Sequence, residues 1–113
     1  MLTLYGIPNC DTIKKARKWL DEHNIEYHFH DYKKAGASAP DLESWCESFG
    51  LEKVLNKRGT TWRKLDIEDK DNLSQKALIN LMVEQPSLIK RPIISEDSPL
   101  LIGFSPETYQ SLL

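Results

Sequence analysis

No stretch of this 113-residue chain is apolar over anything near the ~20 residues that a helix needs to cross a bilayer. No membrane partner is therefore expected. Cysteine is scarce, with only Cys10 and Cys46. Two distant thiols build no disulfide framework, so a reducing cytoplasm is the expected setting. Net charge is almost absent, at −2 with histidine neutral, which leaves no electrostatic reason to expect direct nucleic-acid binding. Low-complexity tracts, internal repeats and linkers are missing. The first residues run straight into a strand without the basic start and long apolar stretch of a secretion signal. With 40% apolar and 28% charged residues, a single domain over 1–113 built on one core is expected.

What is present has a readable order. Leu2 to Tyr5 reads as a short strand. From Asp11 to about His23 the period becomes helical, with Ile13, Ala16 and Leu20 on one face, widened by Trp19, and Lys14, Lys15, Arg17 and Lys18 mostly elsewhere. Ile25 to Tyr32 then alternates: Ile25, Tyr27, Phe29 and Asp31 point one way, Glu26, His28 and His30 the other. Strand, helix and strand within some thirty residues imply a right-handed crossover and two parallel strands. The middle is helical. Ser38 caps and Pro40 suits an early helical position, Leu42, Trp45, Cys46 and Phe49 form a stripe, and Gly50 ends the helix. Turns are expected around Val54-Leu55 and Thr61 to Leu65. Ser74 then caps a helix carrying Ala77, Leu78, Leu81 and Met82, stopped before Pro86. The runs Pro92–Ile94 and Leu100–Phe104 suggest an antiparallel hairpin with a five-residue loop, Ser95 to Pro99, and Ser105-Pro106 opens a last helix. The fold class is thus α/β: a thioredoxin-like, glutaredoxin-type four-stranded mixed sheet with a helical insertion between strands 2 and 3.

In that order Cys10 stands where the first strand, after the turn Gly6-Ile7-Pro8-Asn9, hands over to the first helix. Unpaired amides and the positive end of the helix dipole meet there. Both favour a thiolate over a thiol whose ordinary pKa is about 8.5, and the thiolate is the nucleophile. Asp11 next door opposes that effect. Thr12 either satisfies the helix start or donates a hydrogen bond to the sulfur. Lys14, one turn on, is either an ordinary surface lysine or a source of positive potential. Both are carried as thiolate-stabilising candidates. Cys46 lies on the Leu42/Trp45/Phe49 stripe and reads as a packed core thiol rather than a resolving one. His28 and His30 share a strand face, but no cysteine or carboxylate set completes a tetrahedral site, so no metal is expected.

Three segments resemble a known family. Tyr5-Gly6-Ile7-Pro8-Asn9-Cys10-Asp11-Thr12-Ile13-Lys14-Lys15-Ala16 is similar to the active-site segment of the glutaredoxin-coupled arsenate reductases and Spx-like regulators (the ArsC/Spx-like family), and within it to the YffB-like branch. Leu88-Ile89-Lys90-Arg91-Pro92-Ile93-Ile94 resembles the family's Arg-Pro opening of the third strand. Asn56-Lys57-Arg58-Gly59-Thr60-Thr61-Trp62 resembles the loop carrying another arginine. The resemblance implies Cys10 as catalytic nucleophile, Arg58 and Arg91 as anion- or glutathione-binding residues, and Pro92 as the residue after a cis peptide bond. Arg63 is a rival to Arg58 on the same short loop. A planar guanidinium with paired donors suits a carboxylate or oxyanion, and a cation beside a sulfur favours its anion.

Departures from the family pattern narrow the chemistry. The arsenate reductases carry a third arginine near the end of the last strand, where this chain reads Gly103-Phe104-Ser105-Pro106. They also have a basic residue where Gly6 stands, and the Spx-type switches have Cys-x-x-Cys where Ile13 takes the second position. A lone thiol needs an outside one to complete a cycle. The expected function is a glutathione-dependent thiol–disulfide reductase acting through a mixed disulfide on Cys10, as a monomer. Its expected partners are glutathione as co-substrate, glutaredoxin, and a small anionic or disulfide substrate, with no bound cofactor. The alternatives are glutaredoxin-coupled arsenate reduction and a non-catalytic Spx-like regulator that binds RNA polymerase.

Overall fold

In the computed structural model, which describes residues 1–113, β1 (Leu2–Gly6) lies inside the sheet, parallel to β2 (Tyr27–Asp31) and antiparallel to β3 (Ile93–Ser95). β4 (Pro99–Ile102) pairs antiparallel with β3, giving the strand order β2-β1-β3-β4. This is a mixed four-stranded α/β sheet of the thioredoxin-like kind. α1 (Asp11–Glu22) links the two parallel strands and buries Ile13, Ala16, Trp19 and Leu20, the stripe that the spacing predicts. Leu4 from β1, Ile94 from β3, Ala16, Trp19 and Leu20 from α1, and Tyr109 form one apolar cluster. Tyr109 belongs to α7 (Pro106–Tyr109), which Ser105 caps by accepting from the Thr108 N–H. Its ring stands edge-on to Trp19 at 5.5 Å and to Phe104 at 4.8 Å, geometries that suit the aromatic quadrupole. Its hydroxyl donates to the Gly103 carbonyl at 3.1 Å, and burial pushes its pKa above the ordinary phenol value.

The chain divides into two compact units, residues 1–35 with 91–113 and residues 36–90. The first holds the sheet, α1, α7 and the short α2 (Tyr32–Ala35). The second is helical. α3 (Ala39–Phe49) starts at Ser38, whose hydroxyl accepts from the Asp41 N–H at 3.3 Å, and ends at Gly50, whose φ of 93° is open to glycine without a Cβ penalty. α6 (Gln75–Glu84) starts at Ser74, whose hydroxyl accepts from the Ala77 N–H at 3.2 Å. Between them lie α4 (Leu51–Val54) and α5 (Thr60–Lys64). A bridge between Leu55 and Ile89 ties the connecting segments, with Asn56 N–H donating to the Leu88 carbonyl at 2.8 Å and Lys90 N–H to the Val54 carbonyl at 2.7 Å.

Three local differences from the sequence reading have plain causes. The segments read as turns near Val54-Leu55 and Thr61 to Leu65 are single helical turns, too short to express a period. β2 begins at Tyr27 rather than Ile25, because Asn24 turns the chain at a φ of 55° and the Ile25 N–H still bonds the Leu20 carbonyl at 3.0 Å. The hairpin loop is shorter than five residues, because Ser95 and Pro99 pair across it, with the ladder shifting between Ile94 and Ser95. No helix is long and apolar enough to cross a membrane.

Candidate functional site

β1 delivers the chain into the turn Ile7–Asn9, and Cys10 follows as the N-cap of α1, in extended backbone with φ −116° and ψ 128°. Its carbonyl accepts the first helical bond, from the Lys14 N–H at 3.0 Å. The antiparallel register of β1 and β3 ends at Tyr5 opposite Ile93. Residues just ahead of Ile93 therefore lie beside the turn that carries Cys10. Those residues are Arg91 and Pro92, joined by a cis peptide bond, and the Pro92 carbonyl is held by the Gly103 N–H at 2.8 Å.

Cys10 is half-buried and free. Partial burial pushes its pKa up. The Ile13 amide, the hydrogen bond and charge of Arg91, and the Thr12 amide push it down, and these together prevail, so the pKa lies below the ordinary thiol value. The sulfur makes no formed cap bond of the kind a serine makes. The amides instead act on the thiolate from the first turn of the helix. Cys46 differs in kind: it is buried on α3, and burial pushes its pKa up.

The other residues singled out from the sequence fall into three groups. Arg91 and Pro92 share the first unit with Cys10, and Arg91 acts on the sulfur directly. Thr12 acts on the sulfur through its backbone N–H. Lys14 meets Cys10 through its backbone, while its side chain is exposed. Arg58 belongs to the second unit, on an exposed turn where its N–H donates to the Asn56 side chain at 3.2 Å, and Arg63 follows on α5. Phe104 packs against Tyr109. The Ile13 amide was not singled out from the sequence, because a backbone donor carries no residue-type signal. Helix periodicity combined with the N-cap position of Cys10 would have located it. No group of three His, Cys, Asp or Glu side chains is placed to hold a metal.

A mixed sheet with a lone, acidified thiol where its first strand feeds a helix defines a thioredoxin-like thiol protein. The chain matches the ArsC family over residues 5–112, and it belongs to that family. A solved protein named YffB is 48% identical, superposes with a TM-score of 0.92, and covers 98% of this chain and 97% of its own. An arsenate reductase (ArsC) related protein from Brucella melitensis is 45% identical with a TM-score of 0.77, over 97% of this chain and 92% of its own. The global transcriptional regulator Spx of Streptococcus mutans is 36% identical over 100% of this chain and 83% of its own.

The contrast between the two cysteines sets an expected result. At neutral pH a small thiol reagent should modify one cysteine per chain promptly, at Cys10, and the second only in denaturant. Peptide mapping of the modified protein checks it. Equal labelling of Cys10 and Cys46 in the folded chain would refute the assignment.

Proposed function

We propose that this chain is a glutathione-dependent thiol–disulfide reductase that works through Cys10 in the cytoplasm, as a monomer. The observation that carries the reading is the half-buried Cys10 at the N-cap of α1 with Arg91 beside it, which lowers the thiol pKa while leaving the sulfur reachable. The Cys10 thiolate attacks the glutathione sulfur of a glutathionylated substrate. That disulfide breaks, the substrate sulfur leaves as a thiolate and takes a proton from water, and a Cys10–glutathione disulfide remains. A second glutathione thiolate, or a glutaredoxin thiolate, then attacks the glutathione sulfur and returns Cys10 as a thiolate. Arg91 would hold a carboxylate of the tripeptide, a task suited to paired guanidinium donors. Ile13 in place of a second cysteine supports the external reductant, because the first turn offers Cys10 no internal partner.

Incubation with oxidised glutathione should add one glutathione per chain at Cys10, and Cys10→Ser should add none. Intact-mass and peptide mass spectrometry read the result. An unmodified wild-type Cys10 overturns the proposal.

A second reading is favoured by the likeness to a transcriptional regulator over the whole chain: a regulatory module that binds RNA polymerase without redox chemistry. Direct binding of purified polymerase to wild type and Cys10→Ser separates the two. Equal retention by both, with no glutathione adduct, supports the module. Arsenate reduction is the less favoured enzymatic reading, since an aromatic ring packs at Phe104 where a third arginine would serve a trianion. Arsenate turnover with glutathione and glutaredoxin tests it.

A further inference from the structure

Gly6 closes β1 and is buried, yet its backbone gives no reason for a glycine. The glycines in the left-handed region are Gly36, Gly50 and Gly103, and at Gly6 an ordinary residue meets no conformational penalty. What the missing side chain provides is room. A Cβ at Gly6 would collide with Ile13 Cδ1 and stand only 2.9 Å from Ile13 Cγ1. The Ile13 side chain is fully buried at 0% exposure, so it cannot simply swing out into solvent. Ile13 is β-branched and stiff at χ1 in a helix, so turning χ2 moves Cδ1 but leaves the contact at Cγ1, which presses on the start of α1. The Ile13 backbone lies in the first turn of α1, three residues past Cys10, and its amide is the largest single interaction that favours the Cys10 anion, Arg91 adding two smaller ones.

We propose that Gly6 is a positioning residue for the Cys10 thiol: by leaving out a Cβ it lets Ile13 seat directly on β1, and that seating aims the Ile13 N–H at the sulfur. The inference rests on the reading of Cys10 as the reacting group and adds how its environment is held. Replacing Gly6 therefore acts on a sulfur it does not touch. The pair also gives the departure at Ile13 a structural meaning. The position that holds a second thiol in Cys-x-x-Cys relatives is used here to pack the helix start against the strand.

The test compares Gly6→Ala, Ile13→Ala and the double variant Gly6→Ala/Ile13→Ala with wild type. The readout is the rate of Cys10 alkylation against pH, followed on the Cys10 peptide by mass spectrometry. Gly6→Ala should move the midpoint of the pH–rate curve upward and slow the neutral-pH rate by roughly threefold or more. The double variant should return to the Ile13→Ala curve, because the collision partner is gone. A role limited to packing would lower the thermal unfolding midpoint and leave the alkylation curve in place. That outcome overturns the proposal, as does a shift that persists in the double variant relative to Ile13→Ala. Should Gly6→Ala not fold, coincident curves for Ile13→Ala and the double variant support the proposal, and divergent ones overturn it. The readout needs no glutathione. Failure of glutathione to add to Cys10 while the Gly6→Ala shift is present defeats the reductase cycle and leaves this inference standing.

Discussion

Arg91→Ala is expected to cut the neutral-pH alkylation rate of Cys10 by roughly threefold to tenfold, the scale of losing a charge-assisted hydrogen bond at a partly solvated site. Arg91 acts on the sulfur twice, by hydrogen bond and by charge, and both push the thiol pKa down against the burial that pushes it up. Removing the side chain leaves burial opposed only by the Ile13 and Thr12 amides. Arg91→Lys keeps the charge but loses the planar fork, so its rate should fall between the two. Salt separates the contributions: raising ionic strength should slow wild type more than Arg91→Ala, since only wild type has the screened charge. A pH–rate profile for Arg91→Ala that overlays wild type would remove Arg91 from the site.

Stability carries the same signature with a defined sign. The folded chain holds Cys10 at a lower pKa than the unfolded chain does. Between the two values the unfolded state binds more protons, so stability rises with pH through that window. The contribution is fully present above the ordinary thiol value of about 8.5 and is lost as pH falls through the folded value. Cys46, shifted the opposite way, works against it in the alkaline range. The difference between wild type and Cys10→Ser isolates the Cys10 part.

The second large effect is on the fold. Leu4→Ala is expected to cost about 2–5 kcal/mol, the range for a fully buried leucine whose surroundings cannot collapse. Leu4 is 0% exposed and lies on β1 between two paired neighbours, opposite Phe29 of β2 and Ile94 of β3. It packs in the cluster with Ala16, Trp19, Leu20 and Tyr109. A cavity there removes contacts on the sheet and on both helices at once, and strands hydrogen-bonded on each side have little freedom to close it. Urea unfolding followed by tryptophan fluorescence measures the loss. A change under about 1 kcal/mol would show that the cluster relaxes around the missing atoms.

The parts of this chain that were legible share a cause: they repeat over many residues or use a side chain with one physical meaning. α1, α3 and α6 announce themselves by period, and Ser38, Ser74 and Gly50 mark boundaries by capping chemistry. β1 and β2 follow from alternation and from the length of the crossover. The parts that stayed dark are those decided by few residues or by backbone. α4 and α5 are four and five residues long and depend on the neighbours they pack against. The paired Ser95 and Pro99 are fixed by the bulged ladder, not by composition. At the site, Cys10 was readable because its place between strand and helix has chemical consequences. The amide of Ile13 was invisible because every residue owns one, and the use of Gly6 appears only when its missing Cβ is set against Ile13.

The sheet is assembled from both ends of the chain. β1 is formed by residues 2–6 and pairs on one side with β3 at residues 93–95. During synthesis β1, β2 and α1 leave the ribosome long before β3 exists. One flank of the nascent strand therefore waits with unmatched amides and carbonyls until residues 93–95 have emerged. Closure is accordingly a late event demanding a large loop, and it belongs to the slow, non-local class of strand pairings. Nascent chains stalled before residue 93 should expose that flank to chaperones, whereas chains extended well past residue 95 should seal it.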